Sequence, residues 1–201
     1  MEIQHLEMKD FIWIEHNSLD PDFCSYVIDK FEKDIRKKPG LIGRGDINKS
    51  IKSSTDFMIS YFLDEWKEED KVLFEAINSG IQKFRDKLKH VHQNYDMFRT
   101  ANVKDLGYQI QRTLPGEFYT WHHDSEYTSK DGVRILTYIW YLNDITEDGY
   151  TEFIDGTRIQ PETGKLIIFP ATWSFLHRGY PPKKETKYIC TGWVYDGLMD
   201  Q

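Results

Sequence analysis

Residues 121–124 read Trp-His-His-Asp inside the stretch PGEFYTWHHDSEY. Imidazole nitrogens and carboxylate oxygens are both ligands for divalent transition metals. In an extended strand, side chains two residues apart project to one side, so His122 and Asp124 can address one ion while His123 turns away. A third donor must come from another strand, and His177 in FPATWSFLHRGY offers one. Two histidines and a carboxylate on one face leave open positions opposite, the donor set of non-haem ferrous centres. The same donors do not by themselves exclude zinc. A His-x-Asp triplet is also a common solvated turn, so a second feature is required.

The run KYICTGWVY is that feature. Alternation places Lys187, Ile189, Thr191 and Trp193 on one face and Tyr188, Cys190, Gly192 and Val194 on the other. A face bearing an ammonium, a hydroxyl and an indole is costly as dry core, because a buried cation needs a partner. It is either a solvated face with Trp193 at a partner surface or the wall of a site. Alternation alone leaves both open.

The elements that must position these residues change character along the chain. SLDPDFCSYVIDKFEKDIRKK opens with capping residues and a proline and spaces Phe23, Val27, Phe31 and Ile35 along one helical face. WKEEDKVLFEAINSGIQKFRDKLKHV does the same with Leu73, Ile77, Ile81, Phe84 and Leu88, acids first and bases last. Between them, KKPGLIGRGDINKSIKSS reads as a loop. After about residue 100, GYQIQRTL, RILTYIWYL, YTEFI, GKLIIFP, WSFLH and KYICTGWVY are short, β-branched and aromatic, and separated by turn residues. The pattern predicts an α+β fold: residues 1–100 as mainly helical support and residues 101–201 as an antiparallel sandwich or barrel, together one domain.

Composition removes several classes. With 39% hydrophobic and 15% aromatic residues the chain can build a core. A net charge of −7 argues against nucleic acid as the main partner. No apolar run is long enough to span a bilayer, and MEIQHLEMKDF lacks the apolar segment of a secretory leader. Cys24 and Cys190 are too few for a disulfide scaffold and sit in apolar runs, which suits a reducing, cytoplasmic setting.

From about residue 105 to 195 the chain resembles the Fe(II)/2-oxoglutarate-dependent dioxygenases, specifically the prolyl 4-hydroxylase-like branch. YQIQRTLPGEFYTWHHD is similar to that branch's path from an Arg-Tyr-x-Pro-Gly segment into Tyr-x-x-His-x-Asp. GYTEF resembles its Gly-Gly-x-Thr-x-Phe segment, and ETGKLIIFP with LHRGYPPKKETKYICTGWVY resembles its path to the distal histidine and the basic residue beyond. NSLDPDFCSYVIDKFEKD is similar to the family's helical lead-in.

The resemblance implies a double-stranded β-helix (jelly-roll, cupin-like) core. It implies Fe(II) on His122, Asp124 and His177, with 2-oxoglutarate and O2 as cosubstrates and ascorbate as a candidate reductant. Lys187, Thr191 and the Tyr141 hydroxyl would meet the distal carboxylate of 2-oxoglutarate. Tyr119, Trp193 and Arg134 match the family's proline pocket, aromatic rings around the pyrrolidine and a guanidinium on a peptide carbonyl. Arg134 lies seven residues before Tyr141, so a bulge, or a start outside the ladder, is required for both to face one side. Thr113 departs from the family, which commonly has a tyrosine there, and leaves a wider or differently filled pocket. The first substrate reading is C4 of a peptidyl proline, the second a free amino acid or other small molecule, and the third nucleic-acid demethylation. A non-catalytic cupin-like binding module is the competing class, against which the retained ligands and Lys187 argue. The same lysine argues against a zinc hydrolase, which has no use for a dicarboxylate anchor.

Overall fold

The computed structural model describes residues 6–43, 45–60, 62–91 and 103–197, except the side chains of residues 90 and 91. Residues 1–5, part of the stretch read for a leader, lie outside the described residues. In chain order the elements are β1 (Trp13–Glu15), α1 (Pro21–Lys33), β2 (Lys38–Pro39), β3 (Thr55–Ile59), α2 (Lys67–Val91), β4 (Val103–Asp105), β5 (Tyr108–Thr113), β6 (Tyr119–His122), β7 (Tyr127–Thr128), β8 (Gly132–Tyr141), β9 (Thr151–Phe153), β10 (Arg158–Ile159), β11 (Leu166–Pro170), β12 (His177–Gly179) and β13 (Lys187–Asp196).

A major sheet runs in the order β1-β11-β8-β13-β5-β3-β2, with β4 on β13 and β7 on β8. A minor sheet runs β10-β9-β12-β6. Every named pairing is antiparallel. Two antiparallel sheets with helices on one side form the expected double-stranded β-helix.

Strand β8 shows why its sequence is apolar without alternation: it is buried on both faces. Leu136, Tyr138 and Trp140 pack with α1 and α2 residues such as Val27, Phe31, Leu73 and Ile77. Ile139 and Tyr141 point the other way, into a smaller cluster with Phe153, Ile159 and Phe169. Gly192 of β13 sits where the Tyr138 ring crosses. A Cβ there would lie 2.1 Å from the Tyr138 hydroxyl oxygen and 2.4 Å from the ring carbon that bears it.

Helix α1 begins on Asp20, whose carboxylate accepts the Asp22 N–H at 2.8 Å, with Pro21 at the first helical position. It buries Cys24, Val27 and Phe31. Ile35, expected on that face, is 96% exposed. The helix has already ended, because Asp34 turns extended and its carboxylate is held by Arg36 and by the Trp66 indole. Helix α2 buries Leu73, Ile77, Phe84 and Leu88 as its spacing predicts.

The first hundred residues also carry three short strands: β1 pairs with β11, β2 with β3 and β3 with β5. Strands of two to five residues carry too little alternation to stand out as a period. WSFLH is mostly a turn, with strand β12 starting only at His177. Among the described residues, no helix is long and apolar enough to cross a membrane.

Candidate metal centre and its cavity

A cavity of about 570 Å3 opens against the major sheet. The β13 face carrying Lys187, Ile189, Thr191 and Trp193 lines it, while Cys190 and Val194 pack toward the helices. The polar face of β13 is therefore a site wall. The opposite wall comes from the minor sheet.

His122 closes β6, Asp124 follows it in the next loop, and His177 opens β12 directly opposite His122. The ligand atoms of the three residues all lie within 4.8 Å of one another. His122 Nε2 is 3.8 Å from Asp124 Oδ1, and His177 Nε2 is 3.7 Å from Asp124 Oδ2. These separations are too long for hydrogen bonds and suit atoms that share an ion. Each imidazole is oriented through its other nitrogen. Nδ1 of His122 donates to the Thr120 carbonyl at 2.8 Å, and Nδ1 of His177 to the Phe175 carbonyl at 3.0 Å. Both Nε2 lone pairs are thus left for a metal.

Burial, reinforced by neighbouring His177, pushes the His122 imidazole down to about 3, so it is neutral at pH 7. Burial opposes ionisation of Asp124, but His177, His122, Thr137 and Trp193 together hold its carboxyl below the usual carboxylate range. The Thr137 hydroxyl donates to Asp124 Oδ2 at 2.8 Å. Two imidazoles oriented through Nδ1, with Nε2 facing Asp124, and an oriented carboxylate fit a divalent cation, and Fe(II) suits the two-His, one-carboxylate set.

Lys187 is buried on the cavity wall, and its ammonium donates to the Gly149 carbonyl at 2.8 Å. Among the described residues no carboxylate forms an ion pair with it. Burial pushes the amine down to about 8, which leaves it mainly protonated at pH 7. Thr113 lies opposite it across the β5–β13 ladder and is buried on the same wall. The Thr191 hydroxyl also lines the cavity and donates to the Tyr138 carbonyl at 2.8 Å.

Tyr141 is placed differently from expectation. Its hydroxyl donates to Thr151 Oγ1 at 2.7 Å, and it is Thr151 that lines the cavity. Tyr141 therefore stands behind the wall. Thr151 was legible only as part of GYTEF, because its role depends on the pairing of β9 with β12.

Tyr119, Trp193 and Arg134 meet at one cavity. Tyr119 stacks on His122 with ring centres 3.5 Å apart and planes 13° apart. Arg134 reaches the pocket face through a bulge, one of the two routes its odd spacing leaves open. Val194 pairs with Leu136 but Tyr195 pairs with Arg134, so Ile135 is the extra residue. The guanidinium carbon then lies 3.9 Å from the Trp193 ring centre. His123 is exposed at the cavity mouth and is not in the ligand group. Sequence reasoning missed Thr137 and Glu126, which reach the site through the β8 register and a loop contact, respectively.

Residues 108–195 match the family described as the 2OG-Fe(II) oxygenase superfamily. A candidate prolyl 4-hydroxylase of Acanthamoeba polyphaga mimivirus is 33% identical over 110 residues, covering 46% of this chain and 45% of the relative. The chain's match thus spans about half the length of that curated relative. Among solved structures, the viral collagen prolyl hydroxylase of Paramecium bursaria Chlorella virus-1, in its 2-oxoglutarate complex, aligns with a TM-score of 0.65 at 22% identity, covering 92% of this chain and 95% of that one. A Trichoplax adhaerens prolyl hydroxylase bound to a hypoxia-inducible-factor peptide aligns with a TM-score of 0.73 at 18% identity, covering 93% and 84%. A Pseudomonas putida prolyl-4-hydroxylase aligns with a TM-score of 0.64 at 15% identity, covering 92% of each chain. Identities this low speak for the fold alone, and the family match is confined to residues 108–195. Residues 108–195, with the His-Asp-His centre they contain, thus match the 2OG-Fe(II) oxygenase superfamily, and the relative and solved structures that the chain is similar to are prolyl hydroxylases.

Proposed function

We propose that this chain is an Fe(II)- and 2-oxoglutarate-dependent dioxygenase that hydroxylates C4 of a peptidyl proline, with succinate and carbon dioxide as coproducts. One observation carries the reading: a buried ammonium with no carboxylate partner among the described residues, Lys187, shares a cavity with a His-His-Asp centre. A protein rarely buries such a charge uncompensated, and a dicarboxylate cosubstrate supplies the missing anion.

His122, Asp124 and His177 would hold the metal, which with 2-oxoglutarate and O2 supplies the oxidising power to insert oxygen into an unactivated C–H bond. Lys187 binds the distal carboxylate, Thr191 and Thr151 border it, and Tyr141 fixes the Thr151 hydroxyl from behind. Tyr119 and Trp193 enclose the pyrrolidine ring, and Arg134 orients the peptide through a carbonyl. Prolyl hydroxylases among both the curated relatives and the solved neighbours support this substrate class. We read the helical and β segments as one domain, supported by the core that α1 and α2 share with β8 and β13. A cytoplasmic setting is supported by Cys24 and Cys190, both buried free thiols.

The test is succinate release by Fe(II)-loaded protein given 2-oxoglutarate, O2 and a panel of proline-containing peptides. Peptide-stimulated release, with the mass gain of one oxygen on proline and loss of both in His177→Ala, is expected. Succinate release that no peptide stimulates would remove the prolyl reading and keep the oxygenase.

A further inference from the structure

The Arg134 guanidinium is already held by three side chains before any substrate arrives. Its Nη2 forms an ion pair with Glu126 Oε2 at 2.7 Å, its Nε donates to the Tyr195 hydroxyl at 2.9 Å, and its plane lies over Trp193. The Arg134 backbone N–H also donates to the Glu126 carbonyl at 3.0 Å, so backbone and side chain both tie Glu126 to the start of β8. Arg134 and Glu126 both line the cavity beside Trp193. The arginine keeps unused N–H groups, since a guanidinium has five donors and two are committed.

We propose that Glu126 is a specificity-determining residue, which neutralises Arg134 so that the cavity mouth accepts a neutral peptide carbonyl and disfavours a free carboxylate. The inference rests on the peptidyl-proline reading above and narrows it to proline inside a chain. An arginine facing an open site without a counter-charge is a carboxylate receptor, because fork-shaped donors and a full positive charge favour that anion. With Glu126 paired, the charge is balanced and only donor geometry remains. A carbonyl oxygen accepts from the spare N–H groups at no electrostatic cost, whereas a carboxylate would bring a second anion beside Glu126. Repulsion of the wrong ligand is how such a site discriminates. Tyr195 and Trp193 hold the guanidinium in place, so the discrimination needs no rearrangement.

The experiment uses two short N-acetylated peptides ending in proline, identical except for a terminal amide or a terminal carboxylate. Their binding to the metal- and 2-oxoglutarate-loaded protein is measured without oxygen, for wild type, Glu126→Gln and Glu126→Asp. Wild type is expected to bind the amide about tenfold more tightly than the carboxylate, a 1.4 kcal/mol difference. Glu126→Gln, which keeps the shape and loses the charge, should tighten the carboxylate and erase or invert that ratio. Glu126→Asp, which keeps the charge, should preserve it. An equal ratio in wild type and Glu126→Gln, a wild type that prefers the carboxylate, or a wild type that binds neither peptide overturns the proposal. Oxygen is then admitted to the amide complex. The expected binding pattern without oxygen incorporation would leave Glu126 in its role and remove the hydroxylase reading instead.

Discussion

The Lys187 ammonium and the Gly149 carbonyl lie 2.8 Å apart, and that carbonyl is the polar partner the folded chain provides for a buried positive charge. A carbonyl offers partial charge only, so among the described residues the lysine is short of a counter-ion, which an anion entering the cavity would supply. Affinity for cosubstrate and stability of the empty protein should therefore move in opposite directions when this residue is changed.

Lys187→Met tests this directly. Removing one partner of a buried charge pair costs on the order of 2–5 kcal/mol of binding. The KM for 2-oxoglutarate should rise by at least tenfold in steady-state kinetics. Thermal unfolding of the ligand-free variant should show a Tm equal to or above wild type, because an uncompensated ammonium no longer has to be buried. A lower KM, or a clear loss of Tm, would count against the lysine as anchor.

The same residue sets a pH dependence. Burial lowers the folded-state value from the ordinary 10.5 to about 8, so the unfolded chain binds the proton more tightly. Between about pH 8 and 10.5 the unfolded state carries the extra proton, and stability of the empty protein should rise with pH across that window. The full gain is about 3 kcal/mol. Below pH 8 both states are protonated and this contribution is flat. Binding of 2-oxoglutarate should run the other way, weakening by about tenfold per pH unit above 8 as the ammonium is lost. Denaturant unfolding and cosubstrate titration across pH 7–10 would read both slopes, and Lys187→Met should flatten them.

Thr137→Val removes the hydroxyl that donates to Asp124 Oδ2 while keeping the shape of the side chain. Outer hydrogen bonds of this kind are worth about 10–100-fold in metal affinity. Competition for Fe(II) or a spectroscopic surrogate such as Co(II) against a chelator should show that loss, with the fold unchanged by circular dichroism.

Gly192→Ala places a methyl group against the buried Tyr138 ring, which is rigid and enclosed by the helical layer. Overpacking of this kind costs about 1–3 kcal/mol. Chemical denaturation should show the loss in full. Gly192→Ala combined with Tyr138→Leu should recover part of it, since the leucine vacates the space the ring occupies.

The sequence by itself determined the two helices and the alternation of β13, and singled out His122, Asp124 and His177 as candidate ligands. The helices repeat their apolar residues over several turns and the strand alternates along its length, so local period carries that information, while the candidate ligands came from spacing together with the family resemblance. Tertiary structure decided what depends on pairing. Which face of β13 borders a cavity follows from helices covering the other face. Whether Arg134 meets Trp193 follows from a single extra residue, Ile135, that becomes a bulge only against β13. Thr137 reaches Asp124, Thr151 takes the place expected of Tyr141, and Glu126 neutralises Arg134 through contacts between residues 8 to 13 positions apart in the chain. No short window of sequence encodes those contacts, because strand register is set by the hydrophobic pattern of whole strands against their partners and by turn geometry.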